Sequence, residues 1–446
     1  MGKLFGTDGI RALAGKFPLD EKTVRATGAS IARHFTESLG RAPRFVTGRD
    51  TRESGGWIEH AFHSGALSEG ASCESAAVIT TPGVAYLTSA FGFDAGIVIS
   101  ASHNPYYDNG IKIFLPDGKK IGRDIESRIE EDIFAAADTE IAAVDIDSSQ
   151  FDEFYASYID HLKANVPGLS ATRLKIVIDC ANGAASSFAP QLFAGLGADI
   201  IAIHDQPDGR NINENCGSLH LEHLQAKVIE EKADLGVAFD GDADRALFVD
   251  ETGKVVDGDA TLWVLSEYLK SHDKLVNSTV VATVMSNLGL ELALRSRGVE
   301  LLRADVGDKY VLDALLKTNS EIGGEQSGHI IFPEISLVGD GMMTALLLLR
   351  AMTEMGVSLS QAVEGFVQYP QILKNVKVLE KRPFTEVPEI MIAAKQIEYE
   401  LDGTGRLLLR YSGTENLARV MIEGKDQAVI EALAGRLADT IGRELG

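Results

Sequence analysis

Cysteine is scarce in this chain: Cys73, Cys180 and Cys216 are the only three in 446 residues. They are widely separated and form neither a metal-binding spacing nor a disulfide framework. A secreted disulfide scaffold is excluded, and a reducing compartment is expected, with the thiols as packing groups. Long hydrophobic runs are also missing. The longest nearly apolar stretch, around Met342 to Leu349, is too short to span a bilayer. The opening Met1-Gly2-Lys3-Leu4-Phe5-Gly6-Thr7-Asp8 has no apolar h-region, and Gly6 stands where a myristoylation site needs Ser or Thr. A cytoplasmic location with no membrane partner is the expectation. Positive charge is in short supply as well. The 42 Lys and Arg against 65 Asp and Glu leave a formal net charge of −23. Such a field repels nucleic acid and anionic membrane. An anionic substrate would require basic residues concentrated locally.

What is present is an ordinary globular composition, 45% hydrophobic and 24% charged, in a chain long enough for three or four domains. The run Gly96 to Ile99 reads as a buried strand that ends abruptly in Ser100-Ala101-Ser102-His103-Asn104-Pro105. Ser102 is thereby placed on a tight loop at a strand end, where open α/β sheets bind ligands. Lys112 follows beyond Asp108-Asn109-Gly110. Such a hydroxyl is a nucleophile, a phosphate carrier or a polar turn that caps the next element.

Around it, alternating strand and helix patterns predict a mainly parallel α/β layer. A first helix is expected from about Asp20, its N-cap, to Leu39. Arg44 to Thr47 reads as a strand leading into Gly48-Arg49-Asp50-Thr51-Arg52-Glu53-Ser54-Gly55. Its arginines either stabilise the Ser102 loop, bind phosphate or pair with Asp50 or Glu53. Arg11, beside Gly6 and Gly9, faces a phosphate or lies on a solvated loop. Leu115-Pro116-Asp117-Gly118 reads as a hairpin turn. Phe151 to Ala164 is a connecting helix at a domain boundary. Strands at Leu174 and Thr279 open two further units resembling the one at Arg44, a weak internal repeat. After Asn375 the pattern changes. Strands at Val376 to Leu379, Arg406 to Arg410 and Leu417 to Ile422, with helices at Val387 to Tyr399 and Gln427 to Leu445, predict an antiparallel sheet on two helices.

Three later stretches carry chemistry. Asp240, Asp242 and Asp244 alternate just past the apolar strand Leu235 to Phe239. Three such acids repel one another unless a cation sits among them, and hard oxygens suit Mg²⁺ or Ca²⁺. With Glu251 they match EF-hand positions 1, 3, 5 and 12. However, Arg245 occupies the position that needs Gly, and the flanks are strand-like. Gly323-Gly324-Glu325-Gln326-Ser327-Gly328-His329 offers Glu325 and Ser327 to sugar hydroxyls and His329 for proton transfer, or is a Gly-rich turn with a hydrogen-bonded His. Arg410-Tyr411-Ser412-Gly413-Thr414-Glu415, with Arg419 beyond, is a phosphate nest or a plain hairpin turn.

In chain order and over essentially the whole length, these motifs resemble those of the α-D-phosphohexomutase superfamily. The motifs are Phe5-Gly6-Thr7-Asp8-Gly9-Ile10-Arg11, Ser100 to Gly110, Asp240 to Arg245, Gly324 to His329 and Ser412 to Glu415. Ala101, Tyr106-Tyr107, Gln326 and Ile212-Asn213-Glu214-Asn215-Cys216-Gly217-Ser218 resemble its bacterial amino-sugar branch. Asn416 stands where relatives often carry Pro. Lys309 stands where Arg is common, keeping the charge but losing the guanidinium fork.

The resemblance implies interconversion of glucosamine 6-phosphate and glucosamine 1-phosphate, towards UDP-N-acetylglucosamine, in an isomerase. It also implies three similar α/β domains with mixed sheets and a small C-terminal α+β domain around a central cleft. The expected bounds are 1–155 for the phosphoserine domain, 156–254 for the metal-binding domain, 255–370 for the sugar-binding domain and 371–446 for the phosphate-binding domain. By this likeness Ser102 is a phosphoserine that gives its phosphoryl group to the sugar. A bound glucosamine 1,6-bisphosphate then reorients, and a hexose 1,6-bisphosphate acts as activator. Asp240, Asp242 and Asp244 hold one Mg²⁺ together with a phosphoserine oxygen. Lys112, Arg245 and Arg11 surround the centre, and His329 or Lys112 handles the hydroxyl proton. Glu325 and Ser327 grip the sugar, while Arg410, Ser412, Gly413, Thr414 and Arg419 hold the phosphate that is not reacting, on a domain that closes over ligand. The expected partner is a phosphorylated amino sugar, with a homodimer left open. The rivals are the same chemistry on glucose or mannose phosphate, a non-catalytic sugar-phosphate sensor and a metal-dependent phosphatase.

Overall fold

In the computed structural model, residues 4–6, 8–135, 144–412 and 415–446 are described; Gly413 and Thr414 of the expected phosphate site lie outside them. The strands form four sheets. The first contains β1 (Phe5–Gly6), β2 (Gly9–Leu13), β3 (Arg44–Arg49), β4 (Ser72–Val78), β5 (Ala95–Ile99) and β6 (Asp108–Phe114) in the order β1-β2-β6-β5-β3-β4. The second contains β7 (Lys175–Asp179), β8 (Asp199–Ile203), β9 (Leu235–Phe239), β10 (Ala246–Asp250) and β11 (Val255–Val256) in the order β11-β10-β9-β7-β8. The third contains β12 (Thr279–Thr283), β13 (Glu300–Ala304), β14 (Gly323–Gly324) and β15 (Ile330–Ile331) in the order β13-β12-β14-β15. The last contains β16 (Gln371–Lys377), β17 (Gly405–Tyr411) and β18 (Leu417–Gly424), with β18 central and both pairings antiparallel.

One topology recurs in the first three sheets. An opening strand (β3, β7 or β12) lies between two parallel neighbours. The later of these neighbours (β5, β9 or β14) then turns back into an antiparallel partner (β6, β10 or β15). The weak repeat in the sequence is thus real. The mixed sheets implied by the family resemblance are present in each unit, while the mainly parallel layer read from strand and helix alternation is corrected, because a short loop after the third strand reverses the chain instead of crossing over. Strands β5, β9 and β10 are buried along their whole length, so each reads as a continuous apolar run.

The first helix is Glu21–Leu39, as expected. Asp20 accepts from the Thr23 N–H at 3.0 Å and Gly40 closes the helix in the left-handed region. The hairpin turn is also present, with Leu115 N donating to Lys119 O at 2.7 Å. In the C-terminal unit the first strand starts at Gln371, earlier than its weak apolar alternation indicated. The two helices are Pro388–Leu401 and Gln427–Leu445.

One apolar core runs through the first three units. Val46, Val98 and Phe114 join Phe154 and Tyr158 of helix Phe151–Ala164, Ile178 and Phe239, and Met342 and Leu346 of helix Gly341–Met355. Phe154 is fully buried, with Phe91 edge-on at 4.9 Å; burial of such a ring contributes about 1.5–3 kcal/mol. The last unit has a separate core around Ile390, Ile397, Val420 and Leu437. The first three units are therefore packed as one body around the loops at their strand ends. Among the described residues, no helix is long and apolar enough to cross a membrane.

Candidate active site

The turn between the third and fourth strand of each repeated unit carries one of the three motifs. Ser102 lies between β5 and β6, Asp240 to Asp244 between β9 and β10, and Glu325 to His329 between β14 and β15. The repeat therefore aims three equivalent turns at one place.

Ser102 has a φ of 52°, a left-handed conformation that a side-chain-bearing residue holds only when its surroundings enforce it. Its buried Oγ donates to Asp240 Oδ2 at 2.5 Å and lies 3.3 Å from His103 Nδ1. Asp240, Asp242 and Asp244 are all buried and bring oxygens within 4.8 Å of one another. Ala243, at φ 54°, turns the chain between them, and Ala243 N donates to Asp240 O at 3.1 Å. Asp242 Oδ2 is taken by Thr81 Oγ1 at 2.5 Å and Lys112 Nζ at 2.9 Å. Among the described residues, Asp242 Oδ1 is buried with no hydrogen bond, and Asp244 Oδ1 has only the longer ion pairs to His329 and Arg245. Burial and the neighbouring Asp244 and Asp242 push the Asp240 carboxyl well above the usual range. Burial acts on Asp244 in the same direction, but Lys112 and His329 overcome it and hold that carboxyl well below. A buried Asp242 oxygen without a hydrogen bond, in a set of three clustered carboxylates, fits a hard divalent cation.

The local cations expected from the global charge are here. Lys112, on β6, is buried, with Nζ also 3.3 Å from Asp244 Oδ2 and 3.3 Å from Asp8 Oδ2. Burial opposes its charge, yet Asp242, Asp8 and Asp244 raise its pKa well above the ordinary lysine value. His329 Nδ1 lies 3.5 Å from Asp244 Oδ1. Burial likewise disfavours its charge, but Asp244 and Asp308 prevail and raise it to about 9. Arg245 Nε is 3.7 Å from Asp244 Oδ1. Arg11 donates to Asp8 Oδ2 at 3.1 Å and to Asn104 Oδ1 at 3.4 Å. Glu325 accepts from Gly307 N at 3.2 Å and from Ser327 Oγ at 3.1 Å, which joins the third motif to the turn before helix Asp308–Thr318.

A second cluster lies on the C-terminal sheet. Arg410 and Arg419 are direct cross-strand partners. Two opposed guanidiniums repel unless an anion lies between them, and burial together with Arg419 lowers the Arg410 pKa. Arg419 Nη2 donates to Ser412 Oγ at 3.4 Å, and Lys381, which sequence reasoning missed, donates to Ser412 O at 2.7 Å.

Other contributors were also invisible in the sequence. Lys120 bridges Asp8 of the first unit and Asp308 of the third. A cavity of about 230 Å³ opens beside this bridge, lined among others by Lys112, Lys119, Asp308, Lys309 and Leu337. Asp179, His204 and Cys216 also bring potential ligand atoms within 4.8 Å. Both Asp179 oxygens are engaged by backbone, accepting from Ala181 N at 2.9 Å and Gly217 N at 3.0 Å, so this carboxylate staples two loops. All three cysteines are free and buried, as expected of packing groups. Of the two Gly48 loop arginines, Arg52 reaches the Ser102 loop, whereas Arg49 pairs with Glu59 at 3.2 Å.

The family models for phosphoglucomutase/phosphomannomutase alpha/beta/alpha domains I, II and III match residues 2–140, 156–253 and 257–369, and the model for the C-terminal domain matches 373–440. The chain belongs to the phosphoglucomutase/phosphomannomutase family. Among curated proteins it is 47% identical over 446 residues to a phosphoglucosamine mutase of Solibacter usitatus, covering 99% of each chain. It is 46% identical to another of Koribacter versatilis, covering 100% of this chain and 97% of that one. Within the family it groups with these phosphoglucosamine mutases. Solved structures share the fold. A phosphoglucomutase/phosphomannomutase family protein of Burkholderia thailandensis has a TM-score of 0.79 at 22% identity, covering 99% of this chain and 97% of that one. An Aspergillus fumigatus N-acetylphosphoglucosamine mutase, solved with GlcNAc-6P and magnesium, has a TM-score of 0.68 at 17% identity, covering 99% and 96%.

Proposed function

We propose that this chain interconverts glucosamine 6-phosphate and glucosamine 1-phosphate in the cytoplasm, supplying UDP-N-acetylglucosamine synthesis, with Ser102 as the phosphoryl carrier. The observation that carries the mechanism is the buried Ser102 hydroxyl, presented on a left-handed residue 2.5 Å from the first of three clustered carboxylates. The full-length likeness to phosphoglucosamine mutases supports the sugar. The working units are taken as 1–155, 156–254, 255–370 and 371–446.

Phosphoserine at 102 gives its phosphoryl group to the free sugar oxygen: the Oγ–P bond breaks, a sugar O–P bond forms, and the sugar hydroxyl loses a proton. The resulting 1,6-bisphosphate turns over in the cleft and returns its other phosphate to Ser102. Asp240, Asp242 and Asp244 would hold Mg²⁺, which when bound neutralises charge on the transferring group. Lys112, His329, Arg245 and Arg11 add positive charge around the phosphoryl oxygens. The sugar hydroxyl's proton is balanced by one gained at the departing Ser102 Oγ; Lys112 or His329, both charged at neutral pH, relays it by giving a proton to Oγ as it takes the hydroxyl's. Glu325 and Ser327 accept and donate hydrogen bonds to the sugar. Arg410, Ser412, Gly413, Thr414 and Arg419 take the distal phosphate, whichever end presents it.

The test is a mutase assay by phosphorus NMR with Mg²⁺ and a trace of glucose 1,6-bisphosphate. It compares glucosamine, glucose and mannose 6-phosphates, for wild type and Ser102→Ala. Preference for the amino sugar and no turnover by the variant are expected. Equal or better turnover of glucose or mannose phosphate overturns the substrate, and turnover by Ser102→Ala overturns the carrier. Sustained release of inorganic phosphate marks a phosphatase.

A further inference from the structure

We infer that Asn213, on the second unit's 211–218 loop, is a positioning residue for the Ser102 loop of the first unit, acting with Arg52 as a two-sided clamp on the same two backbone carbonyls. The inference rests on the reading of Ser102 as phosphoryl carrier. Arg52 Nη2 donates to Ser102 O at 3.0 Å and to Asn104 O at 2.5 Å. Asn213 Nδ2 donates to the same oxygens, at 2.9 Å and 3.0 Å. A carbonyl oxygen has two lone pairs, and a side-chain amide nitrogen has two hydrogens. Each carbonyl thus receives one bond from each side, and the Asn213 amide is fully committed to them.

Both jaws are themselves fixed. Arg52 is buried and ion-paired with Asp50, whose Oδ1 also accepts from Arg52 N at 3.0 Å. Asn213 N donates to Ala181 O at 2.9 Å, and the Asp179 carboxylate ties Ala181 to Gly217. Asn213 has a φ of 59°, a conformation that Asn tolerates better than most side-chain-bearing residues. The metal-binding loop closes the arrangement at Gly241, where a Cβ would lie 2.5 Å from Ser102 O and 3.0 Å from Asn213 Nδ2. The strained conformation of Ser102 is therefore over-determined from two units and three loops. A serine that alternates between phosphorylated and free states must present Oγ at one place in both. The clamp acts on the carbonyls and leaves Oγ free for chemistry.

The test uses full-length enzyme phosphorylated with glucose 1,6-bisphosphate and two variants. Asn213→Gly keeps the left-handed backbone and removes the amide. Asn213→Asp keeps the shape but turns acceptors towards two carbonyls. Single-turnover transfer from phosphoserine 102 to glucosamine 6-phosphate is expected to fall about 10- to 100-fold in Asn213→Gly and further in Asn213→Asp, with KM changed less than about twofold. The melting temperature of Asn213→Gly is expected to stay near that of wild type. A wild-type transfer rate in Asn213→Gly overturns the clamp. So does a loss in which KM rises in proportion and the protein melts early. Absence of phosphoserine at 102 in wild type, read by peptide mass spectrometry, overturns the carrier reading itself and with it the purpose of the clamp.

Discussion

Replacing Lys112 by methionine isolates the charge that holds the carboxylate cluster together. The ammonium is 2.9 Å from Asp242, 3.3 Å from Asp244 and 3.3 Å from Asp8, with its side chain 1% exposed. Methionine preserves the unbranched stem, so the main change is at Asp242, which loses its ion-pair partner, while Asp8 keeps Lys120 and Arg11 and Asp244 keeps His329 and Arg245. Removing one partner of a buried ion pair costs about 3–5 kcal/mol. The raised Lys112 pKa means that its stabilisation is fully present below the free lysine value and is lost only as pH rises through the higher folded value. Measurements at neutral pH therefore fall on the plateau. The assay is urea unfolding of metal-free enzyme followed by fluorescence of Trp57 and Trp263, in the first and third units. With a slope of about 4 kcal/mol per molar urea for a chain of this length, the expected loss lowers the midpoint by about 0.75–1.25 M. At one fixed Mg²⁺ concentration, a hundredfold above the wild-type Kd, wild type gains about 2.7 kcal/mol. The variant, with Asp242 unpaired, binds the ion more tightly and gains more than wild type at that concentration, and the gap narrows, while mutase turnover stays low. A metal-free variant that unfolds at the wild-type urea concentration, or equal gains from Mg²⁺ in both proteins, refutes the reasoning.

Two further predictions concern other parts of the molecule. Asp340 is buried, accepts from Tyr158 OH at 2.9 Å and caps helix Gly341–Met355; burial raises its pKa to about 6. Its contribution is present below the unfolded value and lost as pH rises through about 6. Between pH 4 and 8 wild type should therefore lose on the order of 3 kcal/mol that Asp340→Asn keeps; parallel urea midpoints across this range would contradict that. Arg410→Ala should raise KM for the sugar phosphate about tenfold or more, because a charge-assisted contact is lost, while Mg²⁺ affinity stays the same. Equal losses of both, by steady-state kinetics and calorimetry, would unite two sites assigned here to separate clusters.

Local physics made much of this protein legible. Apolar runs ending in small and polar residues located β5 and β9 and the loops that follow them. Helix Glu21–Leu39 was legible from Asp20, since capping is a short-range hydrogen bond. Three alternating carboxylates announced a candidate cation site through their mutual repulsion, which needs no tertiary information. The Phe5 to Arg11, Ser102, Asp240 and Glu325 motifs identified the family.

What the sequence left open depends on chain closure over long separations. The bond from Ser102 to Asp240 spans 138 residues and the clamp from Asn213 spans 111. No local propensity encodes such contacts, which exist only because one shared core locks three units together. The same packing decided that Arg52 and not Arg49 reaches the serine loop and that Lys120 joins Asp8 to Asp308. The sequence by itself determined the family and the motifs that supply the candidate site. Only the tertiary structure decided that three motifs occupy the same turn of a repeated unit and converge, because convergence is a property of packed surfaces and not of the chain.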